Sequence, residues 1–469
     1  MGRNHKMNVS EPSSYASSPL KTGPRSVLIA LGFATTVAMW AIGYACMTAP
    51  GLVVGEILFA IELVPLLAGG YWAGRLVGSV SAGALVGAIS GTVNLLIVGS
   101  LFRRGEDGSI LMSAAWWIIG LYVVSVVLAL IGASFGKKRH RSDSSLPAAT
   151  GMFSLIAAVT VFLLLITGGL VTGLEAGLAV PDWPNSFGHN MLLYPLAEMS
   201  GGIYYEHAHR LYGMLVGLTA LALMIMIMVH DRRGWMRALV VAVFLMVCFQ
   251  GLMGGLRVTG TLTMSQEDTS PNTIIGIVHG VFGQIVFAGF CWLAIASSRS
   301  WLSSPAPRTT EGGNMDRTLT GMLLVALVIQ LILGACYRHL QIPATAETAA
   351  HHPAWAMHGH LSFSVVVLLL TIFTGLRCMK RMDFPIIRNL GHAILILVTL
   401  QFILGVGALV AVLVRPDETI PLWELISTSA HQANGAMLLG VSTALAAITH
   451  RLIANEELPT EPRLAGQVG

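Results

Sequence analysis

Four histidines recur at equivalent places in the C-terminal two thirds of the chain and are its strongest candidates for chemistry. Paired imidazoles inside a helical bundle commonly bind haem, because each supplies one axial ligand to the iron. Three of the four follow a Gln-x-x-x-Gly motif, with 25, 26 and 26 residues from the motif glycine to the histidine: segments 250–254, 330–334 and 401–405 precede His279, His360 and His431. The fourth, His209, follows the related segment 167–173 at a longer distance.

A single histidine in an apolar helix is more often a hydrogen-bonded structural residue, but four histidines at equivalent positions of a repeat favour a role as metal ligands. Four helical hairpins that each present one histidine would form two four-helix halves with two ligands apiece. In the third repeat His358 is an alternate ligand. The register favours His360, because the position four residues later is then Ser364, a small residue like the glycines of the other repeats.

Glu206 lies three residues before His209, so on a helix the two side chains share a face about one turn apart. Both stand where a long loop meets an apolar run, and an ionisable group at membrane depth is costly and tends to mark a functional site. Such a carboxylate could accept a proton or stabilise positive charge during a reaction. The alternative interpretation is an interfacial cluster that only marks the end of a membrane span.

Arg257 and Arg338 end two of the apolar runs that precede a histidine. Each is a candidate partner for a haem propionate, and the alternative is a side chain whose guanidinium extends to the membrane surface. The remaining histidines, among them His207 and His339, are interpreted as solvated or supporting residues in loops and at helix ends.

The composition indicates an all-α polytopic membrane protein. Of its 469 residues 54% are hydrophobic and 11% are charged, with a mean hydropathy of +0.73, whereas ordinary soluble domains carry about 25% charged residues. We count twelve apolar runs of about 20 residues, each long enough to cross a bilayer. Basic residues cluster in the loops at 137–141, 232–237 and 377–388, which lie on the same side of the membrane as both termini when twelve spans are counted. That side is predicted to be cytoplasmic, because loops rich in Lys and Arg stay there. No nucleic-acid partner is expected.

The chain divides into two membrane modules. The first, residues 26–135, has four apolar runs rich in small residues and contains no histidine, so we assign it no function. The predicted order is a disordered cytoplasmic tail at 1–25, this four-helix module, a cytoplasmic linker at 136–149, a first four-helix bundle at 150–300, a cytoplasmic linker at 301–316, a second four-helix bundle at 317–455 and a cytoplasmic tail at 456–469.

These motifs resemble the haem A synthase family over about residues 150–455. The segment 206–210, Glu-His-Ala-His-Arg, matches the Glu-x-x-His-Arg signature of that family. Residues 175–184 look like its first outer loop, and the segment 254–257 and the helix around His431 are also similar. The four leading helices have no counterpart in the resemblance.

The resemblance implies an eight-helix fold made of a pseudo-twofold pair of four-helix bundles. It implies that the second half holds a haem b cofactor on His360 and His431, and that His209 and His279 face a haem O substrate. Glu206 would be the catalytic carboxylate in the oxidation of a ring methyl of haem O to a formyl group. The implied setting is a bacterial cytoplasmic (inner) membrane, with haem O synthase and an electron acceptor as partners and a homo-oligomer as an open alternative.

A second class of protein fits four histidines equally well: a bis-histidine di-haem membrane cytochrome that passes electrons from quinol without altering its haems. Glu206 beside His209, and the long, nearly uncharged loop before them, favour the enzyme. Extracted haem separates the two classes, because haem O and haem A indicate the enzyme and haem b alone indicates the cytochrome.

Overall fold

The computed structural model describes most of the chain, and all structural statements below concern the described residues. These are residues 23–47, 54–98, 103–104, 109–110, 114–141, 146–195, 198–259, 273–340, 353–414 and 420–455. The two predicted terminal tails, apart from residues 23–25, lie outside these ranges.

Helices account for nearly all of the described chain. In order they are α1 (Pro24–Met47), α2 (Gly55–Val77), α3 (Ser81–Val98), α4 (Ala114–Lys137), α5 (Ala149–Gly173), α6 (Gly201–His230), α7 (Gly234–Thr259), α8 (Thr273–Ala296), α9 (Arg299–Leu302), α10 (Gly313–His339), α11 (Ala354–Met379), α12 (Pro385–Leu413) and α13 (Leu422–Leu452). Two short antiparallel hairpins lie between helices: β1 (Arg103–Arg104) with β2 (Ser109–Ile110), and β3 (Asn185–Ser186) with β4 (His189–Asn190).

Eleven of the described helices are long and apolar enough to cross a membrane. The one remaining predicted span, the third in chain order, corresponds to α3, whose apolar part, Ser81–Ile97, is shorter than those of the other eleven described helices. The prediction of an all-α polytopic membrane protein is therefore confirmed.

The eight helices from α5 onward, leaving aside the short α9, pack as two equivalent halves. In the first half α5 packs on α6 and α8, and α7 packs on both α6 and α8; in the second half α10, α11, α12 and α13 repeat these contacts in the same order. The halves meet where α8 packs on α13, and there α5 also contacts α13 while α10 contacts α8. Each contact has its counterpart when the halves are exchanged, as a pseudo-twofold arrangement requires.

The second half begins earlier than the sequence indicates. Residues 301–316 are predicted as a linker, but α10 starts at Gly313, directly after a left-handed turn at Gly312 (φ 66°). The Asp316 carboxylate in its first turn is 1% exposed and pairs with Arg377 and Arg381 of α11. A buried carboxylate needs such partners, and this ion pair fixes the start of α10 to the end of α11.

Small residues hold the leading helices together. Gly70 and Gly74 of α2 lie so close to α4 that a Cβ on either would overlap the backbone carbonyl of Ala129 or Ala133. Helices in lipid gain packing from such close backbone approach. The same module also packs on the first half: Phe33 of α1 contacts Phe153 of α5, with ring centroids 5.0 Å apart, and both belong to one buried apolar cluster.

Candidate functional site

Each of the four repeated histidines lies against a glycine of the preceding helix. A Cβ added to that glycine would come within 2.9 to 3.2 Å of the histidine Cε1, closer than ordinary packing permits. The four pairs are Gly168 with His209, Gly254 with His279, Gly334 with His360, and Gly405 with His431. The repeated glycine therefore makes room for an imidazole, and the four rings occupy equivalent places in the N-terminal parts of α6, α8, α11 and α13.

The glutamine of the repeated motif holds the histidine in three of the four hairpins. Gln250 Nε2 donates to the His279 carbonyl oxygen (2.8 Å), and Gln330 Nε2 donates to the His360 carbonyl oxygen (3.0 Å). Gln401 Nε2 lies 3.2 Å from Nδ1 of the His431 ring. Glycine four residues after the histidine makes this approach possible: a Cβ at Gly283 or Gly435 would meet the glutamine amide at 3.0 or 3.2 Å.

In the second half the two repeated histidines face each other. The His360 and His431 ring centroids are 6.2 Å apart, with an interplanar angle of 79°. Two imidazoles that share one metal ion through bonds of about 2 Å have ring centres about 6 Å apart, so this spacing fits an axially ligated haem iron. The side chain of His358 is exposed on another face of α11.

In the first half Thr167 sets the chemistry of His209. The Thr167 hydroxyl donates to the Leu164 carbonyl oxygen (2.9 Å) and lies 2.9 Å from His209 Nδ1. Because its one proton is used on the carbonyl, the hydroxyl accepts from Nδ1–H, and this assignment leaves Nε2 with a free lone pair. A metal ligand needs such a nitrogen.

On the helices of the first half, two buried side-chain nitrogen atoms have no hydrogen-bond partner among the described residues. They are His279 Nδ1 and Arg257 Nε. Buried polar groups are usually satisfied, and exceptions point to an absent ligand or water. The carboxylate of a haem would be a partner for the Arg257 Nε–H, so the residues of this half also fit a haem.

Glu206 is 4% exposed and both of its carboxylate oxygens are bonded. Oε1 accepts from Arg210 Nη2 at 2.6 Å, one helical turn further along α6. Oε2 accepts from the backbone N–H of Val180 at 2.8 Å. Glu206 lies three residues before His209 on α6, and its bond to Val180 also anchors the loop before that helix.

Arg210 closes the loop over this half. Besides Glu206, its guanidinium donates to three loop carbonyl oxygens: those of Val180 (2.8 Å), Asp182 (2.7 Å) and Asn185 (3.0 Å). A planar guanidinium suits such a cluster because its donors point in fixed directions. The side chain is 9% exposed.

The loop has its own internal structure. Phe187 and Gly188 form the turn between β3 and β4 with φ values of 51° and 75°, the geometry of a tight hairpin turn. The Asp182 carboxylate accepts from both of their backbone N–H groups, each at 2.7 Å. The Trp183 ring lies directly on Gly255 of α7, where a Cβ would overlap it. The loop is thus a folded cover that reaches from α6 to α7.

Two histidines that the sequence placed among solvated or supporting residues have defined positions. His207 is 1% exposed and packs between the loop residues Ser186 and Tyr194, with Nδ1 3.1 Å from the serine hydroxyl. His339, the last residue of α10, lies on α8 beside Arg257. For His207 the signal was its place inside the 206–210 motif; for His339 the sequence gives none, because the contact joins the two halves.

Arg338 has a bond that ties the halves together. Its Nη2 donates to the Thr172 carbonyl oxygen near the end of α5 at 2.9 Å. Arg257, in contrast, has no ion pair among those found in the described part of the chain.

Comparison with known proteins identifies the family. The family model described as cytochrome oxidase assembly protein matches residues 188–443, more than half of the chain. The chain belongs to this family. A heme A synthase from Beijerinckia indica subsp. indica is 24% identical over 354 residues, which are 65% of this chain and 93% of that relative. A heme A synthase from Listeria monocytogenes serotype 4a is 29% identical over 181 residues, 38% of this chain and 54% of its own length. The resemblance to haem A synthases is confirmed, and the matched range 188–443 contains all four repeated histidines.

Proposed function

We propose that this protein is a haem A synthase, an oxidoreductase that converts a ring methyl of haem O to a formyl group during haem A biosynthesis. Two of its relatives carry that name. The observation that carries the proposal is Glu206, a buried carboxylate on the helix of His209, under a folded cover. A protein that only passes electrons between haems has no need of a carboxylate held beside one of them.

The two halves have different roles in this proposal. His360 and His431 hold a haem b cofactor, which is supported by the 6.2 Å between their ring centres, and His360 is preferred to the exposed His358. His209 and His279 face the substrate, haem O. A bound haem supplies one-electron redox chemistry. Arg257 and Arg338 remain candidates for the haem carboxylates, although Arg338 is already bonded to α5.

The protein's own residues supply the environment for the reaction. Arg210 Nη2 donates to the Glu206 carboxylate at 2.6 Å, and the loop that Arg210 closes covers the substrate half. A carboxylate has about four lone-pair positions, and two are used by Arg210 and Val180. Glu206 can therefore accept a proton, or stabilise positive charge that develops at the methyl carbon, while it keeps its bonds to Arg210 and to the loop.

The proposed setting follows from the same assignment. The protein lies in the bacterial cytoplasmic membrane with both termini inside. It receives haem O from a haem O synthase and passes electrons to an acceptor in the membrane. Helix α1 packs on α5 of the first half, so the leading helices would support the half that binds haem O.

Glu206→Gln tests the proposal, because it keeps the shape of the side chain and removes its charge. We expect the variant to keep haem b with an unchanged absorption spectrum and to accumulate haem O, or a partly oxidised alcohol, in place of haem A. Loss of one stabilising group commonly lowers the rate by about a hundredfold or more. Glu175→Gln is the matched control, since Glu175 is an exposed carboxylate at the start of the same loop. Near-normal haem A from Glu206→Gln would contradict the proposal.

The division between the halves has a separate test. His360→Ala and His431→Ala should remove the tightly bound haem b, whereas His209→Ala and His279→Ala should keep it and abolish turnover. Haem content and absorption spectra of the four purified variants measure this. Equal loss of the same haem from all four would show that the two sites are not distinct.

A further inference from the structure

The end of α10 reaches from the second half onto the first. A Cβ at Gly276 of α8 would lie 3.4 Å from His339 Nδ1 and 3.6 Å from Arg257 Nε, and a Cβ at Gly280 would lie 3.9 Å from His339 Nε2. Both side chains therefore rest on the same glycine face of α8. His279, one of the two repeated histidines of the first half, is on the same helix between these two glycines.

The guanidinium on this face is short of partners. Arg257 Nε is buried and has no hydrogen-bond partner in the described part of the chain, and none of the ion pairs found there includes Arg257. Both oxygens of Glu206, a buried carboxylate of this half, are already bonded to Arg210 and Val180. A desolvated positive charge without a bonded anion is costly, so a ligand with a negative charge would stabilise this position.

We propose that Arg257 and His339 together form a carboxylate-binding site for a propionate of the haem in the first half. Arg257 provides the charge and His339 an imidazole N–H donor, and hydrogen bonds of carboxylates to such donors are stronger than those between neutral groups. The assignment deepens the proposed function, since it gives the substrate site a residue from the opposite half. His339 would then select haems with free carboxylates.

The position of His339 is fixed by its neighbour. Arg338 donates to the Thr172 carbonyl oxygen at 2.9 Å and so holds the end of α10 against α5. Gly276 and Gly280 leave the face of α8 flat, which lets the imidazole lie on it. A larger residue at either glycine would fill the space in which His339 and Arg257 meet.

The test compares two probes, iron protoporphyrin IX and its dimethyl ester, which has no free carboxylates. Binding of each is measured by absorbance titration of the purified full-length protein in lipid nanodiscs, with the second-half haem already bound. The wild type should bind the free acid more tightly than the ester. His339→Leu should reduce this preference by about tenfold, the effect of losing one hydrogen bond to a charged group.

Two further variants separate recognition from folding. His339→Gln keeps an N–H donor and should retain most of the preference, while His392→Leu, an exposed histidine near the cytoplasmic end of α12, should leave it unchanged. An unaltered spectrum of the second-half haem shows that each variant is folded. An acid-to-ester preference in His339→Leu equal to that of the wild type would overturn the proposal. The result is readable even if the protein makes no haem A, because the probes report binding and not turnover.

Discussion

Replacing Arg210 by lysine should open the outer loop about a hundredfold more often. Lysine keeps the positive charge beside Glu206, but its ammonium is a compact group that cannot reach the three loop carbonyls that the guanidinium contacts at 2.7 to 3.0 Å. At least two of the four hydrogen bonds are lost. At about 1.5 kcal/mol or more for each bond to a charged group, the closed loop loses about 3 kcal/mol, and each 1.4 kcal/mol is a factor of about ten.

Hydrogen exchange measures this opening directly. The backbone N–H of Val180 is bonded to Glu206, and those of Phe187 and Gly188 are bonded to Asp182, so their exchange reports the closed loop. In Arg210→Lys these amides should exchange about a hundredfold faster, while the second-half haem spectrum stays unchanged. Arg233→Lys is the control, because Arg233 is ion-paired with Asp231 at the opposite end of α6. Wild-type exchange rates in Arg210→Lys would refute the view that this guanidinium closes the loop.

Two other substitutions address how the histidines are held. Gly334→Ala should displace the His360 ring, since the added Cβ would lie 2.9 Å from Cε1, at a cost of about 1–3 kcal/mol. The absorbance of the second-half haem should therefore fall. Gly321→Ala is the control on the same helix, and it should keep the absorbance because the space around Gly321 is open. Thr167→Val removes the acceptor for His209 Nδ1–H and should weaken haem binding in the first half about tenfold in titrations. Thr167→Ser keeps the hydroxyl and should bind haem almost as the wild type does. Equal weakening by both variants would contradict the assigned hydrogen bond.

The repeat could be found from the sequence because its physical causes are local. Each motif glycine faces one histidine across a helical hairpin, so the pattern recurs with nearly constant spacing wherever the connecting loop is similar in length. The first repeat is weaker in sequence for a reason that the structure shows. The position of the motif glutamine is taken by Leu164, and Thr167 holds the ring of His209 instead.

Contacts between distant segments could not be read from the sequence. The bond from Val180 to Glu206 joins residues 26 positions apart, and nothing in the motif shows that both carboxylate oxygens are engaged. His339 reaches α8 only because the halves pack face to face. The sequence places the start of α10 too late for a similar reason. Asp316 is a charged residue and is typical of a solvated linker unless its arginine partners on α11 are known.

Helix α1 connects the leading four-helix module to the first half. Trp40 and Tyr44 of α1 pack edge-on against Tyr212 of α6, with ring centroids 5.5 and 5.7 Å apart. Tyr212 lies three residues after His209, on the same side of the helix. Aromatic pairs of this kind stabilise packing beyond the area they bury. Helix α1 therefore supports the turn of α6 that carries both His209 and Glu206, a role for which a module without histidines is sufficient.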